Sequence, residues 1–220
     1  MLCGLLQMLF PGSSRGSLSD LPARPMDSPP GIRRVLLVHG IYNTYLGNLK
    51  RTLESQGWQV YTITLRPNDG SVSFEVMARQ VDAFVRANMP GSEKFDLVGF
   101  SMGGLVCRYY IQKMGGYARV RRFVTLSTPN HGTVWAWLSG RTGVKQMRPD
   151  SDMLRDLNAD AGELAALHYT SIYTPLDLTI LPATSSRMPI ARNVVSWVPL
   201  HPLMVWMSSP LRAVERALEE

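Results

Sequence analysis

Six short runs rich in Val, Ile, Leu and Phe recur after residue 32, and stretches with helical spacing separate them. RVLLV (34–38) reads as a buried strand, and the spacing over 46–56 predicts a helix. WQVYTITL (58–65) follows, then a longer helix over about 72–88. FDLVGF (95–100) is a strand and MGGLVCRYYIQKM (102–114) a helix; VRRFVTLS (120–127) is a strand and 151–167 a helix. HYTSIYT (168–174) and ARNVVSWV (191–198) complete the set of strands before a final helix over 209–219. Strands this apolar need cover on both faces, and alternation with helices supplies it. The expected fold class is α/β: a minimal, mostly parallel sheet of about six strands with helices on both faces and no large cap domain. Residues 1–32, with five prolines between 11 and 32, are expected to form an irregular Pro/Gly/Ser-rich arm ahead of a single domain over 33–220.

In such a sheet, sites form beyond the carboxyl ends of the strands, so each strand exit can be audited for chemistry. The first exits into His39-Gly40-Ile41, the third into the serine turn and the fourth into STPNHGT (127–133). The fifth exits into Pro175-Leu176-Asp177 and the sixth into Pro199-Leu200-His201. The serine turn is GxSxG: Gly99, Ser101, Gly103. By composition alone that pattern arises in about one chain in ten to fifteen of this length. Set between an apolar strand and a helix it means more. A strand turning sharply into a helix holds its serine in a strained conformation and crowds the flanking positions, which is why glycine is wanted there. Helix polarity at Ser101 then favours developing negative charge.

A serine hydroxyl needs a base, and the base needs an orienting group. His39 precedes Ser101 and is too early for a Ser…Asp…His order; His131 precedes every acid on a later strand exit; His168 begins a strand, at the wrong edge. His201 is at the right edge and in the right order. Asp150, Asp152, Asp156 and Asp160 read as surface carboxylates of one helix, whereas Asp177 follows a strand exit. The expected triad is Ser101, Asp177 and His201, the alternative for Asp177 being a turn-forming aspartate. The N–H groups of Met102 and Ile41 are the expected oxyanion donors, with Gly40 allowing close backbone approach.

Composition narrows the field. With 45% apolar and 18% charged residues, the chain has the balance of an ordinary globular protein. No apolar stretch is long enough for a membrane-spanning helix, and MLCGLLQMLF lacks the basic residue that opens a secretory signal. Those absences lead to an expected cytoplasmic location. The two cysteines, Cys3 and Cys107, suggest no disulfide framework, and no spacing suggests a metal. The net charge of +6 raises nucleic-acid binding. Its basic residues, however, gather before strands, at Arg33, Arg34, Lys94, Arg119, Arg121 and Arg122, without interleaved aromatics. A solvated basic edge is the better reading, with no nucleic-acid partner.

These residues resemble the serine α/β-hydrolases, and more closely the small lid-less bacterial lipases and esterases of the triacylglycerol lipase-like family. LLVHGIYNT is similar to that family's oxyanion loop, LVGFSMGGLVCRYY to its nucleophile elbow, and VTLSTPNHGT to its TPxHGT segment. TPLDLTILPATSS resembles its acid loop and LHPLM its histidine loop. The resemblance covers about residues 33–219 and implies an α/β-hydrolase fold. It also implies Ser101 as nucleophile, Asp177 as acid, His201 as base, and Ile41 and Met102 as oxyanion donors. Two departures stand out: a full-size hydrolase's two N-terminal strands are missing, and Pro202 replaces the glycine often found after the histidine.

The expected activity is carboxylic-ester hydrolysis through an acyl-enzyme, on short- to medium-chain acyl esters or lipids, by a monomer without a cofactor. A thioesterase or acyltransferase would use the same triad, and a non-catalytic binding protein is the alternative of another class. About 35 residues separate the fourth exit loop from the fifth strand, too few for a substantial lid. Trp135, Trp137 and Leu138 follow that loop, and Leu203, Met204 and Trp206 follow His201. Both groups are candidates to wall an acyl pocket or to make transient contact with a lipid surface, with plain core packing as the alternative.

Overall fold

The computed structural model describes residues 32–42 and 46–220; the expected N-terminal arm, Ile32 apart, lies outside the described residues. Its strands are β1 (Arg34–Val38), β2 (Gln59–Ile63), β3 (Phe95–Phe100), β4 (Val120–Leu126), β5 (His168–Tyr173) and β6 (Arg192–Val195). They pair in the order β2-β1-β3-β4-β5-β6, every pair parallel. The chain runs outward from β1 to β2, then crosses back to place β3 on the other side of β1. This reversal opens a crevice between the carboxyl ends of β1 and β3, the place where open α/β sheets bind ligands.

Each strand divides its side chains between two cores. Leu36 and Val38 of β1, with Phe95 and Leu97 of β3, pack against α2 (Phe74–Asn88), α3 (Met102–Lys113) and α5 (Asp152–Ala159). Val35 and Leu37, with Val98 and Phe100, pack on the opposite face against α1 (Gly47–Ser55) and α6 (Ser208–Glu219). That period of two is why the strands read as continuous apolar runs: both faces are interior. Each such Val or Leu contributes roughly 1.5–3 kcal/mol relative to exposure. Ser73 caps α2 by accepting from the Val76 N–H, and Ser151 caps α5 by accepting from Leu154.

Several expected elements are shorter than their patterns; the strand expected over 58–65 covers Gln59–Ile63. The helix expected over 151–167 is α5 followed by a 3-10 turn over Ala161–Ala166. The strand expected over 191–198 ends at Val195, although Ser196 N–H still donates to Tyr173 O. Beyond it the Thr174 hydroxyl takes over from the backbone ladder, donating to Val198 O (2.6 Å) and accepting from Val198 N–H (3.3 Å). A side chain thus ends the strand and delivers the chain towards His201. A short helix, α4 (Thr142–Lys145), and 3-10 turns over Val134–Leu138 and His201–Val205 fill the exit loops.

The basic edge is largely spent on internal contacts. Asp96 is fully buried and takes a two-pronged contact from Arg121 (3.0 and 2.7 Å), with Arg122 close by at 3.6 Å. Arg34 pairs with Glu93, Arg119 donates to Met89 O, and Arg33 lies over the Trp58 ring.

Candidate active site

Ser101 stands between β3 and α3 with φ 53° and ψ −126°, a left-handed conformation that strains any residue with a side chain. Strand bonding continues right up to it, since Ser101 N–H donates to Leu126 O at 2.8 Å. The strain is held by close backbone packing. A Cβ on Gly99 would lie 2.5 Å from Gly104 Cα, and one on Gly103 would meet His39 O and, at 2.5 Å, Val38 O. A Cβ on Gly104 would run into the Thr128 side chain. The glycines of the turn therefore do more than relieve crowding around the serine. They let the first turn of α3 rest directly on the end of β1 and on the β4 exit.

Asp177 and His201 lie in the loops that leave the neighbouring strands β5 and β6. His201 Nδ1 is 2.7 Å from Asp177 Oδ2. The other carboxylate oxygen, Oδ1, accepts from the N–H groups of Thr179 and Ile180, both at 2.9 Å. The carboxylate oxygens only accept, so His201 Nδ1 is the donor in this contact, and the neutral ring then has its lone pair on Nε2. The ring rests on Phe100, centroid to centroid 4.9 Å. Ser101, Asp177 and His201 are 7%, 2% and 6% exposed, so the hydroxyl is only just reachable from solvent.

The expected oxyanion loop is pinned on both sides of Ile41. Leu65 N–H donates to His39 Nε2 (3.0 Å), which leaves Nδ1–H to donate to Gly40 O (2.6 Å). Burial holds the His39 pKa below the ordinary imidazole value. On the other side, Tyr42 N–H donates to Asn68 O at 2.8 Å. The Tyr42 hydroxyl accepts from Arg141, whose same nitrogen also donates to Asp69 O. His39 thus braces the loop through both ring nitrogens. Met102 opens α3, where the first N–H groups have no acceptor within the helix.

Residues 34–185 match the model of the palmitoyl protein thioesterase family. The chain belongs to that family. The matched segment runs from β1 past Ser101 and Asp177 and stops before His201, which the fold places against Asp177. Lysosomal thioesterase PPT2 of Rattus norvegicus is 32% identical over 119 residues, 51% of this chain and 39% of that protein. Its Mus musculus counterpart is 31% identical over the same spans. The chain thus matches well under half the length of these curated relatives. Among solved structures, the mature lipase BlEst2 of Bacillus licheniformis superposes with TM-score 0.67 at 16% identity, over 89% of this chain and 96% of that one. The monoacylglycerol lipase of Paleococcus ferrophilus gives 0.65 at 18% identity, over 86% and 96%. At such identities these structures show the fold, a minimal α/β-hydrolase. The resemblance to serine α/β-hydrolases of lipase and esterase type is borne out.

The remaining candidate residues of this palmitoyl protein thioesterase family member separate by burial. Met204 is fully buried in the core beneath His201, packed with Phe100 and Leu126, and Leu203 borders the same cluster. Trp135 and Trp137 are about half exposed or more, and Trp135 donates its indole N–H to Leu178 O (2.8 Å). Sequence reasoning missed Arg108, fully buried on α3 with no carboxylate partner among the described residues. It donates to Gln112, to both oxygens of Asn130, to Leu157 O and to Asn158, tying the elbow helix to the β4 exit and α5. Nothing in a VCRYY string separates such an arginine from a surface one. Cys107, next to it, is a buried thiol whose pKa burial pushes far up, as expected of a structural cysteine. Among the described residues, no group of three or more His, Cys, Asp or Glu converges as a metal site. No described helix is long and apolar enough to cross a membrane.

Proposed function

We propose that this protein is a serine acyl-ester hydrolase in which Ser101 attacks, His201 moves the proton and Asp177 holds the imidazole. The observation that carries the reading is the Asp177–His201 contact of 2.7 Å, made between adjacent strand exits on the edge where the strained Ser101 turns into α3. With Nδ1–H committed to Asp177, His201 Nε2 accepts the Ser101 proton as Oγ bonds to the acyl carbonyl carbon. The oxyanion forms against the N–H groups of Met102 and Ile41. His201 returns the proton to the leaving group, and water repeats the cycle on the acyl-enzyme. Because the machinery is complete in side chains and backbone, no cofactor enters the mechanism.

The acyl donor has two readings. Oxygen esters of short to medium acyl chains fit an active-site edge that carries no large cap among the described residues. Thioesters are favoured by the family match over residues 34–185. A p-nitrophenyl ester series and an acyl-CoA series, run side by side, decide between them. In both, turnover and fluorophosphonate labelling are expected in the parent and absent in Ser101→Ala. Labelling that survives the substitution would overturn the assignment of Ser101. Failure of the parent to label or to turn over either series would overturn the enzyme reading in favour of a binding protein. We propose that the protein acts as a monomer, tested by its mass in solution. The cytoplasmic placement is likewise a proposal, set against relatives named lysosomal; fractionation of cells making the protein tests it.

A further inference from the structure

Four of the five tryptophans are about half exposed or more: Trp135 (47%), Trp137 (60%), Trp197 (69%) and Trp206 (49%), while Trp58 is buried. A chain this size has core enough to hide large rings, so their shared location calls for a reason. All four lie in segments leaving β4 and β6, and the β5 exit lies between them in the sheet. That middle loop adds exposed Leu176 and Leu178, one on each side of Asp177, and Leu200 immediately precedes His201. Trp135 joins the first loop to the second through its bond to Leu178 O. The apolar residues therefore form the rim of the loops that hold the acid and the base. Leu138, at 79%, is the most exposed large apolar residue described.

Charge on the same loops has one prevailing sign. The exit segments 127–150, 174–190 and 196–207 carry Arg141, Lys145, Arg148 and Arg187 against Asp150 and Asp177, and Asp177 is buried on His201. Within these segments four cations thus stand against one exposed carboxylate, and Arg141 also pairs with Asp69 beyond β2 at 3.8 Å. Arg148 stacks its guanidinium over the Trp137 ring at 4.5 Å, putting a cation beside an exposed indole. Indoles with an apolar body and a polar N–H, interspersed with cations, are the groups that settle at the headgroup level of a bilayer.

We propose that this edge docks on an anionic lipid bilayer, with Trp137, Leu138 and Trp197 entering the headgroup region and the cations meeting lipid phosphates. A protein partner seated here would cover the route to Ser101; a bilayer leaves an acyl chain able to pass from its surface to the serine. The proposal does not depend on turnover, so the full-length Ser101→Ala protein tests it. It is mixed with vesicles of phosphatidylcholine, with and without about 30 mol % phosphatidylglycerol, then followed by flotation and tryptophan emission. Expected are flotation with the anionic vesicles, a blue shift as indoles leave water, and weaker binding in neutral vesicles and at high salt. Adding Leu138→Ser and Trp197→Ser is expected to lower vesicle affinity about tenfold or more while leaving the unfolding temperature unchanged. The proposal is overturned if the parent fails to float, or if the double substitution floats like the parent, which would place lipid contact elsewhere on the chain. It is also overturned if the parent is a dimer in solution that the double substitution dissolves, for then a second copy occupies the face.

Discussion

The substitution Asp177→Asn exchanges one oxygen for an NH2 group and leaves the shape of the acid loop intact, yet the two backbone donors at Oδ1 decide what the new amide must do. Thr179 and Ile180 N–H both approach Oδ1 at 2.9 Å. If the introduced carboxamide keeps its oxygen there, its NH2 replaces Oδ2 and faces His201 Nδ1 as a donor. If it flips, the NH2 confronts two N–H groups, and two backbone donors lose their acceptor at a cost of about 2–6 kcal/mol. The first arrangement wins, because exchanging imidazole tautomers costs far less. His201 then carries its proton on Nε2 and has no lone pair for Ser101. The expected loss in kcat is about 10⁴-fold, as for a triad held in the wrong tautomer, or roughly 5.5 kcal/mol of barrier. The assay is p-nitrophenyl butyrate turnover and the rate of fluorophosphonate labelling, with thermal unfolding as the check on the fold. Activity within tenfold of the parent, in a protein that unfolds at the parent's temperature, would refute the reasoning.

Three further outcomes are expected. Gly103→Ala puts a methyl group onto Val38 O and His39 O; backbone cannot swing away, so urea denaturation should show a loss of about 1–3 kcal/mol along with poor turnover. Arg108→Leu takes one of two donors from each of the buried acceptors Leu157 O and Asn130 O, which keep Gln112 and Asn158, and should cost roughly 1–3 kcal/mol by the same measurement, whereas loss of an exposed surface arginine would cost close to nothing. His39 has its pKa held below 6.5 by burial, and His131 shares that direction through burial and Arg108. A depressed imidazole pKa means the unfolded chain takes up the proton first. Stability from His39 is therefore whole above pH 6.5 and drains as pH falls below it, until the folded pKa is passed. Denaturation midpoints from pH 7.5 to 5 should fall less steeply in His39→Gln than in the parent; equal slopes would count against His39 as the group lost.

Much of the fold was legible because burial on both faces leaves its mark on composition: β3 runs over the very residues of FDLVGF, and β1 over those of RVLLV. Boundaries slipped where a side chain rather than the backbone took the hydrogen bond, as Thr174 does at the end of β6. The candidate triad was legible through position, since exits of parallel strands share one edge, chain order set aside His39 and His131 as bases, and its place at the start of β5 set aside His168. Its supports were not. Thr179 and Ile180 act through backbone N–H groups, which any residue supplies, and Arg108 reaches partners up to 50 residues away. Such contacts depend on the final packing and leave no periodicity to read.

The two halves of the carboxyl edge are built on different principles, and the difference follows from the sheet order. Between β1 and β3 the chain reverses direction, so the β1 exit loop and the α3 terminus are forced together. There backbone packs on backbone at Gly99 and Gly103, and on the Thr128 side chain at Gly104, so none of the three glycines can take a side chain. From β4 to β6 the exits spread outward along the sheet, and the loops are bonded to one another by side chains and backbone together, as in Thr133 to Thr179 O, Trp135 to Leu178 O, Asn130 to Ser186 O and Val134 N–H to Leu181 O. Loops anchored to one another in this way can carry exposed tryptophans and leucines on their outer side without disturbing β3 or α3. The strained serine turn and the proposed oxyanion donors thereby fall in the crowded half of the edge, while the proposed acid and base and the exposed apolar rim fall in the open half. Substitutions at Leu138 or Trp197 should then alter where the protein binds without altering how fast Ser101 reacts with a small soluble fluorophosphonate. A substitution at Gly103 should do the reverse.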